Sequence, residues 1–505
     1  MAKKHFSAHS ISLYMFPLVA LVIIVTNMFS NDPLINRMIA VVLLMAGWWI
    51  SEAVPIAVTS VLPVVLFPLL GVMDGGTASE EYFNDIIFLF MGGFILSLAL
   101  EKWNLHLKIA FKTLMLFGSK PYRILLGFMF TSSFLSMWMS NTATAVLMLP
   151  IALSVIKEME TIYGKEAMKR FKVGLLVGIA YACSIGGITT LIGTPPNLAF
   201  AAIFKSMYPH AAEITFSTWF VFGLPIYIIL LASSSFIVYR LFPAKFSNGD
   251  SFRKYISKQN DDLGKVNYEQ KRILVLFTLF ALLLIFKNDL TIGSFHLPGW
   301  SDLFPFKSYI KDGTIAMLIA VMLFVIPSSS ARGKKLIDWS TAVKLPWGII
   351  LLFGGGFALA RGSVDSGLTQ WIGESLAKYS HAPLPVFIGI NATFMTFITT
   401  FTSNVSTAQI LLPAAGALSQ SIHLDPRILM ISMTFASSFA FILPIATPPN
   451  AIVFGSGQIK MKDMVIPGLI LSVIGIITLI VIMYLWGFEI FHIKPSVYPA
   501  WAINQ

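Results

Sequence analysis

The chain carries one series of short motifs twice, in the same order. Leu89-Phe90-Met91-Gly92-Gly93-Phe94 returns 263 residues later as Leu352-Phe353-Gly354-Gly355-Gly356-Phe357, and Ser140-Asn141 and Pro150 return at the same offset as Ser403-Asn404 and Pro413. Thr194-Pro195-Pro196-Asn197 returns at an offset of 253 as Thr447-Pro448-Pro449-Asn450. Such self-similarity implies a duplicated structural unit, so a fold for one half must be buildable twice. The residues around the motifs say what kind of unit it is. Of 505 residues, 56% are hydrophobic and 12% charged, against roughly 25% charged in a soluble domain. Length alone would suggest about three soluble domains. This composition predicts instead one all-α polytopic domain embedded in lipid.

A helical span takes about 20 apolar residues. Eleven candidate spans begin near Ile11, Met38, Val54, Ile86, Val173, Ser217, Ile273, Thr314, Trp347, Ile428 and Met464. Two further apolar stretches, 124–155 and 385–420, have Ser, Asn and Thr at their centres and then Pro150 or Pro413. Two helical arms meeting at a polar tip, a re-entrant hairpin, explain that pattern better than a straight span. An odd number of spans separates the copies, so they face opposite ways across the membrane, and inverted repeats of this sort belong to secondary transporters. The expected organisation is a first transmembrane helix in 1–37 and a first repeat in 38–242, with hairpin 120–155 and a broken helix 173–207. A cytoplasmic connecting loop spans 243–271. The second repeat is 272–487, with hairpin 385–420 and broken helix 428–457, and 488–505 form an external tail.

Net charge is +11. In a membrane chain a basic excess reflects Lys and Arg held on the cytoplasmic side rather than nucleic-acid binding. With an inner N-terminus and hairpins that do not cross, the segments predicted inside carry 26 of the 35 Lys and Arg residues. The run from Ile11 follows Lys3 and Lys4 and lacks a small-x-small cleavage site, so it reads as a span with a cytoplasmic start. A multi-pass protein of the plasma membrane, in a bacterium the inner membrane, is expected. Segment 102–117 places Trp103, Leu107, Phe111 and Leu114 on one helical face and Lys108 and Lys112 on another, which predicts a helix lying on the inner surface. A single cysteine, Cys183, excludes an internal disulfide and reads as a packing residue.

Two motif pairs can carry chemistry. At a hairpin tip, Ser140-Asn141-Thr142 offers hydroxyls, an amide and a cap for the following helix, whose N-terminal N–H groups attract an anion. A cap or an interhelical hydrogen bond would account for one copy; the duplicate at Thr402–Pro413 argues for a site. Each Thr-Pro-Pro-Asn run removes two N–H donors and breaks its helix, leaving carbonyls that are costly in lipid unless they line a cavity or hold a cation. From Ile124 to Ile156 and from Pro385 to Leu424 there is no Asp, Glu, Lys or Arg, which argues against a proton relay. No HExxH motif or Asp pair within a span supports an enzyme. A neutral site suits a dianion when mobile cations or helix dipoles balance its charge, and sodium suits hard oxygen ligands. Glu52 reads as a helix-end acid, and Arg361 with Asp365 as a surface pair.

With these paired motifs the chain resembles the divalent anion/sodium symporter family, over roughly 38–487. The resemblance implies eleven spans and two re-entrant hairpins in a homodimer, each protomer moving a transport domain against a scaffold as an elevator. It implies a first sodium site at Ser136, Ser140, Asn141 and Gly193, and a second at Thr399, Asn404 and Ala446. Substrate carboxylates would meet Asn141, Thr142, Asn404 and Thr447, with Thr194 and Pro448 nearby. The family has Thr after both Ser-Asn pairs, whereas here the second is Val405, without a hydroxyl. Sodium symport of C4 or C5 dicarboxylates such as succinate, malate, fumarate or 2-oxoglutarate is the implied function. Sodium-independent dicarboxylate exchange is the alternative, and an arsenite or other anion permease a more distant one.

Overall fold

The computed structural model describes residues 8–246, 249–292, 295–330, 333–376, 383–495 and 497–503. Lys3 and Lys4, on which the cytoplasmic start partly rested, lie outside them. The described chain is helical apart from a small antiparallel ribbon, Leu290–Ile292 with Phe295–Leu297.

The matched motifs organise matched helices. Pro121–Ser136 and Asn141–Tyr163 form one hairpin; Leu384–Phe401 and Asn404–Ser421 form the other. Proline opens the first turn of Pro121–Ser136 and of Leu384–Phe401, where its missing N–H costs nothing and its fixed φ suits a helix. After each hairpin comes a helix interrupted by the Thr-Pro-Pro-Asn run: Lys165–Gly187 and then Pro195–Met207, Pro426–Ser437 and then Pro448–Gly455. The first begins earlier than the expected 173, because 165–172 is helical too.

The breaks are stitched by the motif's own asparagines. Asn197 Nδ2 donates to the carbonyls of Thr190 (2.7 Å), Gly187 and Ile188 (both 3.3 Å). Asn450 Nδ2 donates to those of Leu443 (3.0 Å) and Ala440 (3.4 Å). Carbonyls that proline leaves without donors are thereby partly satisfied within the loop. The copies also interlock: Asn141–Tyr163 packs on Pro448–Gly455, and Asn404–Ser421 packs on Pro195–Met207. Each returning arm therefore rests on the post-break helix of the other copy.

Eight helical stretches among the described residues are long and apolar enough to cross a membrane. Length and composition admit one arm of each hairpin, Asn141–Tyr163 and Leu384–Phe401, while Ile11–Thr26, Ile56–Leu70 and Asp312–Val325 are shorter apolar helices. Tyr268–Ile285 carries Glu269, Lys271 and Arg272 in its first turn and a half.

Leu105–Phe117 forms the expected amphipathic helix with Phe111 and Leu114 buried, but Lys108 is not on an open face. Its side chain is buried and Nζ donates to the carbonyls of Leu263 and Gly264, closing the end of helix Asp250–Asp262. A cation is favoured at that end by the unpaired carbonyls and the helix dipole. Arg361 and Asp365 do pair, at 3.1 Å and partly exposed, and Cys183 is fully buried. The C-terminal segment is docked: Arg427 Nη1 donates to Phe491 O at 2.6 Å, and its guanidinium lies over Trp501, which packs on Phe204 and Tyr208.

Candidate functional site

Both hairpin tips and both helix breaks open onto one cavity of about 890 Å³, a volume in the usual range for small-molecule sites. Ser140, Asn141, Thr142, Gly193, Thr194, Asn404, Val405, Ala446, Thr447 and Pro448 all line it. The rest of the lining comes from Trp49, Ile50, Glu52, Ile56 and Ala57, from Phe94, and from Pro346 and the start of helix Trp347–Asp365. Glu52 is the one formally charged side chain in the wall.

Four helices begin at the cavity: Asn141–Tyr163, Pro195–Met207, Asn404–Ser421 and Pro448–Gly455. Each directs the positive end of its dipole there, worth about 0.3–1 kcal/mol toward an anion and up to ~2 when partly buried. The proline-led pair contributes field but few donors, because Pro195, Pro196, Pro448 and Pro449 have no N–H. The hairpin helices supply donors, and unequally. In the first, Ser140 Oγ accepts from Ala143 N at 3.1 Å, leaving the N–H groups of Asn141 and Thr142. In the second, the Ser403 side chain makes no cap bond, so the N–H groups of Asn404, Val405 and Ser406 lack an intrahelical acceptor. Val405 thus has an uncapped backbone N–H at the cavity, although its side chain lacks a hydroxyl.

Behind the first tip, oxygens gather. One terminal atom of the Asn141 amide lies 2.6 Å from Ser136 Oγ, 3.1 Å from Cys183 O and 3.3 Å from Gly193 O. With the amide nitrogen in that position, Asn141 donates to all three. With the oxygen there, the Ser136 hydroxyl donates to it but the Cys183 and Gly193 carbonyls face it with no proton between them, a crowding of oxygens that a cation would relieve, and hard oxygen ligands are what an alkali or alkaline-earth ion takes. Ser136, Asn141 and Gly193 are thus brought together, while Ser140 caps its helix beside them. The residues present fit a sodium ion. The Cys183 carbonyl was missed in the sequence, as was Gly187, whose bare Cα leaves room for the Asn141 amide. The Gly186-Gly187 pair ending an apolar helix was the available signal; a backbone carbonyl leaves none.

The second set is less closely assembled. Asn404 Oδ1 is buried without a partner, an orphaned acceptor that a cation would satisfy, and Ala446 lines the same cavity. Thr399 is fully buried, does not line the cavity, and donates to Met395 O and Thr396 O of its own helix. The Ala436 carbonyl, which stands where Cys183 stands in the first copy, already accepts from Thr396 Oγ1 at 3.1 Å.

The sodium:sulfate symporter transmembrane region family matches residues 7–493. The chain belongs to this family. Within it, the sodium-dependent dicarboxylate transporter SdcS of Staphylococcus saprophyticus is 40% identical over 466 residues, covering 90% of this chain and 88% of the relative. SdcS of Staphylococcus aureus is 40% identical over 453 residues, covering 88% and 85%. Two solved structures share this chain's fold. The Alcanivorax borkumensis YdaH transporter aligns with TM-score 0.57 at 13% identity, over 85% of this chain and 89% of that one. Neisseria gonorrhoeae MtrF, from a class of antimetabolite efflux pumps, aligns with TM-score 0.56 at 11% identity, over 93% and 97%.

Proposed function

We propose that the protein is a multi-pass plasma-membrane transporter that carries C4 and C5 dicarboxylates together with sodium. The observation that carries this reading is the pairing, at one tip, of free helix N-terminal N–H groups facing the cavity with the Ser136–Asn141–Cys183–Gly193 oxygen cluster behind them. An anion would be held by the former and its charge offset by a cation at the latter. Ser136, Asn141 and the carbonyls of Cys183 and Gly193 would hold one sodium ion, and Asn404 with Ala446 would contribute to a second. Asn141, Thr142, Thr194, Asn404, Val405, Thr447 and Pro448 would face the acid. A cavity wall without Lys or Arg leaves helix dipoles and mobile cations to balance a dianion. The SdcS relatives, named as sodium-dependent dicarboxylate transporters, support the same substrate and the same ion.

The interlocked returning arms and matched breaks support an inverted repeat whose hairpins move as a unit. Elevator movement in a homodimer, with the N-terminus in the cytoplasm, completes the proposal. Uptake of labelled succinate into proteoliposomes tests it under two conditions: sodium outside with nothing inside, and sodium-free with unlabelled dicarboxylate inside. Accumulation in the first alone is expected. Uptake in the second alone would make the protein an exchanger, and the oxygen cluster plain polar packing.

A further inference from the structure

Glu52 is the one formally charged residue lining the cavity, and its sign is that of the acid the cavity is proposed to take. The segments on either side of Glu52 are held by several contacts. Glu52 ends helix Pro33–Ser51 at φ 49° and ψ 31°, the left-handed region where glycine or asparagine would be the unstrained choice. The next turn is clamped against the scaffold. Trp49 Nε1 donates to Ser60 Oγ at 3.1 Å and the Tyr82 hydroxyl to Ser60 O at 2.5 Å. A Cβ on Gly355 would overlap that same carbonyl and stand 2.9 Å from Ser60 Cα. Glu52 is exposed where it lines the cavity, and none of the ion pairs among the described residues involves it.

We infer that Glu52 is the charge-selecting residue of the site: its carboxylate draws sodium into the cavity ahead of the acid and disfavours acids with three negative charges. The inference rests on the sodium-dependent dicarboxylate reading above. The field of one fixed charge acts on every mobile charge that enters. Each sodium ion gains from it, a dianion loses twice what one charge would, and a trianion loses three times. Discrimination between di- and tricarboxylates is therefore one unit charge's worth. Over about 4–8 Å in an aqueous dielectric that is about twofold to fivefold. The strained backbone is consistent with a side chain required there for its charge, since strain of this kind persists where function demands it.

The test uses the full-length protein in proteoliposomes at neutral pH, as wild type, Glu52→Gln and Glu52→Asp. Two quantities are read: the half-saturating sodium concentration for succinate uptake, and the ratio of inhibition constants for tricarballylate and succinate. Glu52→Gln should raise the first and lower the second, each by about twofold or more, with Glu52→Asp near wild type. A Glu52→Gln variant that transports with both quantities unchanged overturns the inference. If that variant does not transport, the sodium midpoint for thermal stabilisation of the purified protein makes the same comparison, and an unchanged midpoint overturns it equally. Wild-type protein that takes up no succinate on a sodium gradient overturns the functional reading itself, and this inference with it.

Discussion

Replacing Gly187 by alanine is a small change that reaches the proposed first sodium site without altering any ligand. Gly187 is the last residue of helix Lys165–Gly187. A Cβ there would overlap Asn141 Oδ1 and stand 2.9 Å from both Cγ and Nδ2 of the same side chain. Non-bonded carbon contacts settle at about 3.5–4.0 Å, so the amide must withdraw by roughly half an ångström to one ångström. The obstructing atoms end a side chain, so the fold can yield, at the low end of the ~1–3 kcal/mol typical of overpacking. The proposed site is hurt more. Moving Asn141 removes one oxygen from a set of four, and a contact to a charged group is worth about 1.5–3 kcal/mol, or roughly tenfold and upward in affinity. Sodium dependence of succinate uptake is the assay, with the melting temperature in detergent measured alongside. The half-saturating sodium concentration should rise about tenfold or more while the protein stays folded and partly recovers its rate at high sodium. A folded Gly187→Ala variant with wild-type sodium dependence would refute the reasoning, since the position of Asn141 would then be irrelevant to the ion. Gly193→Ala is the contrasting control. Its Cβ would meet backbone, Gly187 O at 2.6 Å and Ser136 O at 2.9 Å, so loss of folded protein is expected rather than a shifted sodium curve.

Asn141→Ala and Asn404→Ala should each abolish uptake while surface labelling shows normal membrane levels; wild-type transport by either would end that residue's assignment. Val405→Thr should lower the succinate KM by no more than about tenfold, because the backbone N–H already supplies a donor and one further hydrogen bond adds ~0.5–1.5 kcal/mol; a larger gain would show that the hydroxyl was missed. Glu269 is buried at the start of Tyr268–Ile285, where burial alone would raise its carboxyl. The hydrogen bonds from the Ser330 and Ser328 side chains and the Ser330 N–H overcome this and hold it down at about 2. A depressed carboxyl stabilises the fold above its ordinary value of 4.5 and loses that contribution as pH falls toward 2, at about 1.4 kcal/mol per unit. Glu269→Gln should therefore lower the melting temperature at neutral pH, with the gap to wild type closing as pH falls below about 4; a gap independent of pH would contradict the assignment.

The lipid-embedded helical character and the family were legible because they rest on composition and on duplicated motifs, which survive without knowledge of packing. The residues at the tips were legible for a related reason: Ser, Asn and Thr stand out in segments that are otherwise apolar. What escaped depends on backbone and on approach from elsewhere in the chain. The Cys183 carbonyl has no side-chain signature. Gly187 has meaning only once Asn141 is beside it. Glu52 was read as the acid ending its helix, which it is, but only the turn clamped by Ser60 shows that the same position forms part of the cavity wall. Lys108 looked like a solvated face because helical periodicity cannot anticipate that the end of Asp250–Asp262 needs a cation to close it. The asymmetry of the two caps was equally hidden, since Ser140 and Ser403 are the same residue in the same motif.

The interlocking of the two copies has a consequence for how variants should sort. Each returning arm rests on the other copy's post-break helix, so neither tip can shift without pressing on the motif that completes the opposite half. A lesion near Asn141 is transmitted toward Pro448, and one near Asn404 toward Pro195. Lesions on that seam should accordingly disturb the response to the ion and to the acid at once, unlike Gly187→Ala, which lies behind the tip. The two phenotypes should travel together, graded by distance from the seam where the copies meet.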